Sequence, residues 1–481
     1  GRLAPLLGNS TLLDLTLPGA HDAMTYDLST TLSDGYEGLG PVLSKLLHGL
    51  SPLVAGEFVR QQGQTQGLNV TAMLDHGIRF IDFRIMFTDA PGGIFDRDWF
   101  CLHGCQTVRT AISYLREVHA WMEAHPTEIL VFWASRHGDD QATGADAYPS
   151  TTAAQRQLFW SEVNSTFGPL LFDSSTGALN ATPVVELLRR GQRLVWLAND
   201  WVQSTGRSPR ALDAAAVLHN QLSGASDDFP RASAAQAASF RAAALQRTAD
   251  ARAGKLWLLS MAAGPPEAAI TRAAMLHFLR LLPAREREEQ NQACAADYRV
   301  PGLAEWCPPT LMDVSLLVNY YAQRTLEQAY LELSRAHLEL SNKGPDLPHA
   351  IYIDGIAEGG TIRTGTALLS PLWRQASSAS AKGGHGPNSA PESAAATVEE
   401  EEAAAATRRR LDDGHATTSY AFVATLLGAN VRRLCAARRS DSVSDMVSAC
   451  ASLLAEVEAA RALAPLTLWN DTARGRLPNW P

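Results

Sequence analysis

Three near-continuous apolar runs, at residues 129–134, 193–198 and 255–260, constrain this chain more than any other feature. A strand wetted on one face alternates apolar and polar residues. A run without alternation suits a strand buried on both faces, as the strands of parallel sheets are. Between the runs the period lengthens to that of a helix. Ile112, Leu115, Val118 and Met122 share one face of 108–124, and 184–190 reads as a second helix. Strand alternating with helix predicts βα units. Further strands are expected at 12–17, 78–85, 100–103 and 350–356, seven in all, with a helix at 70–76 feeding the second. The expected class is α/β: an irregular, TIM-like (βα) barrel with long helical insertions at 211–253 and 267–340 and a C-terminal helical extension.

The rest of the chain divides by composition. With 46% hydrophobic and 19% charged residues the core needs no staples to form. Residues 375–410 are Ala, Ser, Gly and Glu with almost no large apolar side chain, so disorder is expected there. This gives a barrel at 1–374, a linker at 375–413 and the extension at 414–481. Three arginines, Arg408, Arg409 and Arg410, read as part of a solvated linker. The net charge of −9 argues against nucleic acid as a partner. It also gives no electrostatic help at an anionic membrane, so lipid contact should be local and apolar. No apolar run reaches the ~18–20 residues that span a bilayer.

Two features point to the secretory route. Sequons stand at Asn9, Asn69, Asn164, Asn180 and Asn470. Six cysteines fall in neighbouring pairs, Cys101/Cys105, Cys294/Cys307 and Cys435/Cys450. Six allow fifteen connectivities, of which the local ones are expected, in an oxidising compartment. With no leader segment, a chain opening on Gly1 is expected to be a processed form.

Three short segments end on residues that can handle a phosphate. Leu17-Pro18-Gly19-Ala20 runs into His21 and Asp22; Gly77-Ile78-Arg79-Phe80-Ile81-Asp82-Phe83 ends on Arg84; Trp99-Phe100-Cys101-Leu102 ends on His103. Together they suggest a site at the C-terminal mouth of a parallel barrel. The stretches LPGAHDAMTYDLS, GIRFIDFR and FCLHG resemble, in this order, the X-domain of phosphatidylinositol-specific phospholipases C. The likeness is to bacterial-type and X-domain-only members, over residues 12 to about 135, with a weaker echo at 350–356.

That resemblance implies cleavage of a phospholipid by phosphoryl transfer within the substrate. His21 matches the base that takes the inositol 2-hydroxyl proton and His103 the acid that protonates the leaving oxygen. Arg84 matches the cation facing the phosphorane, and Asp22 the carboxylate supporting the acid. Asp354 corresponds by strand order to the carboxylate orienting His21, and Arg136 to a basic residue meeting the headgroup. The calcium-binding signalling members carry Asn after the first His and Glu-x-Asp on the second strand. Here Asp22 and Asp82-Phe83-Arg84 stand in those places. Arg84 is therefore expected to replace the metal, with no metal and no cofactor required. The implied partner is a membrane phospholipid, met transiently.

Plainer readings stand beside these. The histidines could be surface residues, Arg84 an ion-pair partner of Asp82, and Asp354 a cap. Cys101-Leu102-His103-Gly104-Cys105 could be part of a metal site, although a small disulfide loop is expected. The rival functions are a metal-dependent barrel phosphodiesterase, like glycerophosphodiesterases or sphingomyelinase D, and a catalytically silent lipid- or protein-binding barrel.

Overall fold

The computed structural model describes residues 7–33, 52–90, 94–136, 151–199, 208–222, 254–260 and 350–353. Single helical positions 238 and 289 and short helical pieces between 430 and 455 complete it. The strands among them are β1 (Leu17–Ala20), β2 (Leu28–Leu32), β3 (Phe80–Ala90), β4 (Ile94–His103), β5 (Cys105–Thr110), β6 (Leu130–Arg136), β7 (Leu194–Ala198), β8 (Ala211–Asp213), β9 (Leu218–Leu222), β10 (Leu256–Ser260) and β11 (Ala350–Ile353).

Eight of these form a parallel sheet in the order β9-β10-β11-β1-β3-β6-β7-β8. Around this order the strands follow the chain, and the first pairs with the last, Leu17 opposite Ala350 and Ala20 opposite Ile353. That is the connectivity of a (βα) barrel. Among the described residues β8 and β9 do not pair, so the ring is open at that one seam.

The alternation of strand residues sorts the core into two layers. Phe80, Val131, Trp133, Val195, Leu197 and Leu258 pack into one cluster. Ile81, Phe83, Phe132, Ala134, Trp196 and Leu259 pack into the other, against Tyr114, Leu115 and Val118 of the helix Ala111–Ala124 and Trp160 and Val163 of Ala153–Phe167. Burial of each such side chain contributes roughly 1.5–3 kcal/mol. The runs at 130–134 and 194–198 lack alternation because both faces are covered. Asn430 closes the far end of β1: its Nδ2 donates to the Thr16 carbonyl at 2.8 Å and its Oδ1 accepts the Thr16 N–H at 2.7 Å. No helix among the described residues is long and apolar enough to cross a membrane.

Several expectations are corrected. Residues 12–14 form a 3-10 turn, capped by Thr11, and the strand begins at Leu17. The segment 100–103 is not a parallel strand. It is the end of β4, which runs antiparallel to the second half of β3, and β5 and β2 extend the ribbon. Residues 211–222 are not a helical insertion but β8, a single turn Ala214–Val217, and β9. Residues 52–63 form a helix that the expected elements do not include.

Cys101 and Cys105 are free, buried thiols rather than a disulfide. Gly104, at φ +71°, turns the chain so tightly that Cys105 lies opposite His103. Cys101 is left two residues further along β4, in the helix-facing core, while the Cys105 thiol donates to the Gly56 carbonyl. Burial pushes both thiols up, Cys105 to about 12. Cys435 and Cys450 are disulfide-bonded, as the local pairing predicts. Cys294, Cys307, Asp354, Asn470 and the linker 375–413 lie outside the described residues.

Candidate active site

His21 and Asp22 follow directly on β1. Asp22 adopts φ +43°, a conformation that disfavours residues with a side chain and costs on the order of 1–3 kcal/mol. Its surroundings over-determine it. The Asp22 N–H donates to Asp82 Oδ2 at 3.2 Å, and the Ala23 N–H to the Asp82 carbonyl at 3.0 Å. The Asp22 carbonyl accepts from the Thr25 hydroxyl at 2.9 Å. Gln66 Nε2 donates to the His21 carbonyl at 2.8 Å, and the Thr65 hydroxyl lies 3.1 Å from the same oxygen.

β3 supplies Asp82 and Arg84, two residues apart and therefore on one face, above Phe80. Arg84 Nε pairs closely with Asp22 Oδ1 and stands 3.4 Å from Asp82 Oδ2. Arg84 Nη2 lies 2.7 Å from His21 Nε2. A guanidinium has only donors, so His21 Nε2 must accept; it carries its lone pair and the neutral ring holds its proton on Nδ1.

The second imidazole reaches the same tautomer through its other nitrogen. His103 ends β4, and its Nδ1 lies 2.7 Å from the Gly63 carbonyl at the end of the helix Pro52–Gly63. A carbonyl only accepts, so Nδ1 carries the proton and Nε2 is left to gain or lose one. The Gly63 carbonyl therefore holds the Nδ1 side of the His103 ring, with Asp22 near its Nε2. Gly63 is required there: an added Cβ would stand 2.1 Å from the His103 carbonyl oxygen. The Nε2 atoms of His21 and His103 lie 3.6 and 3.7 Å from a single oxygen, Asp22 Oδ2.

Burial raises the Asp22 carboxyl to about 6, against the opposing pull of Arg84, His21 and His103. Ligand atoms of His21, Asp22 and Asp82 lie within 4.8 Å of one another, a spacing a cation could use. The Arg84 guanidinium contacts all three residues and repels any second cation by its own charge.

The fold thus gathers His21, Asp22, Arg84 and His103 at one place. Arg136 ends β6 opposite Arg84, its side chain outside the described residues. Asp354 lies outside as well; Ile353 before it pairs with Ala20, the neighbour of His21. Of the sequons, Asn9, Asn69 and Asn180 are exposed, whereas Asn164 is half-buried and accepts from Arg210.

No family model matches the chain. Over 133 residues, 27% of its length, it is 34% identical to the PI-PLC X domain-containing protein 1 of Mus musculus, covering 36% of that protein. Identity to the Homo sapiens protein of the same name is 32% over 129 residues, 38% of its length. Over this stretch the chain resembles the PI-PLC X domain-containing proteins. It spans little more than a third of the length of these relatives. Among solved structures, the phosphatidylinositol-specific phospholipase C of Listeria monocytogenes aligns with a TM-score of 0.38 at 12% identity, covering 74% of this chain and 93% of that one. A phosphatidylinositol-specific phospholipase C of S. aureus aligns with a TM-score of 0.39 at 11% identity over 73% and 90%.

Sequence reasoning missed much of what surrounds His21, Arg84 and His103. Asp82, fully buried, is a full member of the cluster. Thr65 and Gln66, also buried, hold the His21 backbone from 44 and 45 residues away. Asn199 Nδ2 donates to the Ser135 carbonyl at 2.9 Å. The only local signal for these was the two-residue spacing of Asp82 and Arg84.

Proposed function

We propose that this chain is a phosphodiesterase that cleaves phosphatidylinositol, or a glycosylated relative, to diacylglycerol and a cyclic inositol phosphate. The observation that carries the reading is a pair of imidazoles set around one carboxylate and one guanidinium, each with its proton on Nδ1 and its Nε2 toward the same Asp22 oxygen. His21 Nε2 carries no proton and accepts from Arg84. His103 presents an Nε2 whose proton can come and go while Nδ1 stays tied to Gly63.

In the proposed reaction Arg84 Nη2 turns from His21 Nε2 to the phosphate, His21 Nε2 takes the proton of the inositol 2-hydroxyl, and that oxygen forms a bond to phosphorus. The bond from phosphorus to the glycerol oxygen breaks, and this oxygen takes the proton of protonated His103 Nε2. His21 ends protonated and His103 neutral, and exchange with water resets both. Arg84, held by Asp22 and by the second carboxylate of Asp82, offers fixed positive charge to the phosphorane oxygens. Asp22, close to both Nε2 atoms, favours whichever imidazole is protonated. No metal or cofactor enters these steps. Asp354 remains the proposed partner of His21, and Arg136 the proposed headgroup contact. The substrate is met at a membrane surface.

The Cys435–Cys450 disulfide and the exposed sequons support a secreted, glycosylated protein. The division into a barrel at 1–374, a linker and a C-terminal extension belongs to the same proposal. Phosphorus NMR of the products from a panel of phospholipids tests the reading. A cyclic inositol phosphate formed equally well in excess EDTA is expected. Absence of cleavage favours the silent barrel, and loss in EDTA restored by calcium favours the metal-dependent rival.

A further inference from the structure

We infer that Ser135, braced by Asn199, is a positioning residue that fixes Asp82 and through it the arrangement of Asp22, Arg84 and His21. The inference rests on the phosphodiesterase reading for its kinetic arm and on geometry for the rest.

The pairing of β6 with β3 carries an extra residue at this point. Phe83 lies opposite Ala134, yet the next residue, Arg84, lies opposite Arg136, so Ser135 has no counterpart on β3. A bulge of this kind bends the strand and re-aims a side chain. Here the Ser135 hydroxyl donates to Asp82 Oδ1. Both side chains are buried, so neither has solvent as an alternative partner.

The other oxygen of Asp82 faces the reactive groups. Asp82 Oδ2 accepts the Asp22 N–H at 3.2 Å, and stands 3.4 Å from Arg84 Nε and 3.8 Å from His21 Nε2. With Oδ1 anchored, the carboxylate cannot rotate about its own axis without breaking a bond. Its hold on the Asp22 N–H keeps that residue at φ +43°, and hence keeps the Asp22 carboxylate against Arg84.

Asn199 holds the bulge from the neighbouring strand. It follows the end of β7; its Nδ2 donates to the Ser135 carbonyl at 2.9 Å and its Oδ1 accepts from Trp133 Nε1 at 3.2 Å. The indole can only donate and the carbonyl only accept, so the amide has one orientation. The route therefore runs from Trp133 through Asn199 to Ser135, then to Asp82, and ends at the guanidinium.

The test compares Ser135→Ala, Ser135→Thr and Asn199→Asp with wild type. Supporting residues one step behind a reactive group typically cost about 10–100-fold when removed. Ser135→Ala is expected to lower kcat by about that range with KM within about twofold, and Ser135→Thr, which keeps the hydroxyl, to recover most of it. Asn199→Asp keeps the acceptor for Trp133 and loses the donor to Ser135, so it should act in the same direction, and it carries the test if Ser135→Ala does not fold. The activity-independent arm is the Arg84 Nε–H signal in proton–nitrogen NMR spectra. It should be sharp and shifted by Asp22 in wild type and Ser135→Thr, and broadened in Ser135→Ala. An unchanged Arg84 signal, or full kcat in Ser135→Ala, overturns the inference. A wild type that cleaves no phosphatidylinositol overturns the reading of function instead, and the Arg84 signal alone then decides the inference.

Discussion

Gly63→Ala should disable the acid without touching any reactive atom. The new Cβ would stand 2.1 Å from the His103 carbonyl oxygen and 3.2 Å from its carbon, and Cβ contacts under 3.0 Å essentially do not occur. Helix and strand must therefore part by about 0.9 Å, and both atoms in the clash are backbone, so no side-chain rotation relieves it. The same junction carries the bond from His103 Nδ1 to the Gly63 carbonyl, now 2.7 Å. Lengthened by that amount it would reach about 3.6 Å, which is no longer a hydrogen bond. A misplacement of about 1 Å costs on the order of 10²-fold in rate, and overpacking costs roughly 1–3 kcal/mol of stability. The assay is kcat on phosphatidylinositol in mixed micelles beside thermal unfolding. Gly168→Ala is the control: it places a Cβ in open space at φ +45°, so it should cost stability alone. Wild-type turnover in folded Gly63→Ala would refute the reasoning.

Arg84→Lys keeps the charge but cannot reach Asp22, Asp82 and His21 together, so a loss of at least about 10²-fold in kcat is expected; activity near wild type would show that point charge suffices. Asp22→Asn should change the pH dependence of stability. A folded value of about 6 against an ordinary 3.8 means that the folded chain binds this proton more tightly than the unfolded one. The ionised group therefore costs stability above pH 6. As pH falls from 6 towards 4, wild type should gain on Asp22→Asn by roughly 2 kcal/mol, and parallel curves in denaturant titrations at several pH values would contradict this. Reducing the Cys435–Cys450 bridge, whose ends are 15 residues apart, should cost about 3 kcal/mol wherever the extension unfolds with the rest. An unchanged melting curve in reductant would show that the extension unfolds separately.

The chain's own text determined the class of fold and pointed to the candidate site residues. Strands buried on both faces carry no alternation, so β6, β7 and β10 stand out as apolar runs wherever they occur. His21, Arg84 and His103 could be named because each ends a short apolar segment, and because Asp82 and Arg84 share a face by spacing alone. Direction and partnership were decided elsewhere. Nothing within 94–103 says that this segment runs antiparallel to β3; that follows from the ribbon it builds with β3, β5 and β2. β8 and β9 are three and five residues long and carry Ala, Asp, His and Asn, so their extended form comes from β7 and β10 beside them and not from propensity. Cys101 and Cys105 are close in sequence yet unpaired, because a tight turn at Gly104 sends them to different surroundings. The bonds that hold the site join residues 40 to 64 positions apart: Gly63 to His103, Thr65 and Gln66 to His21, Asp82 to Asp22 and Ser135, and Asn199 to Ser135. Residue pattern encodes which face of an element is buried. Which neighbour that face meets depends on register and chain reversal, and these exist only once the distant elements have packed.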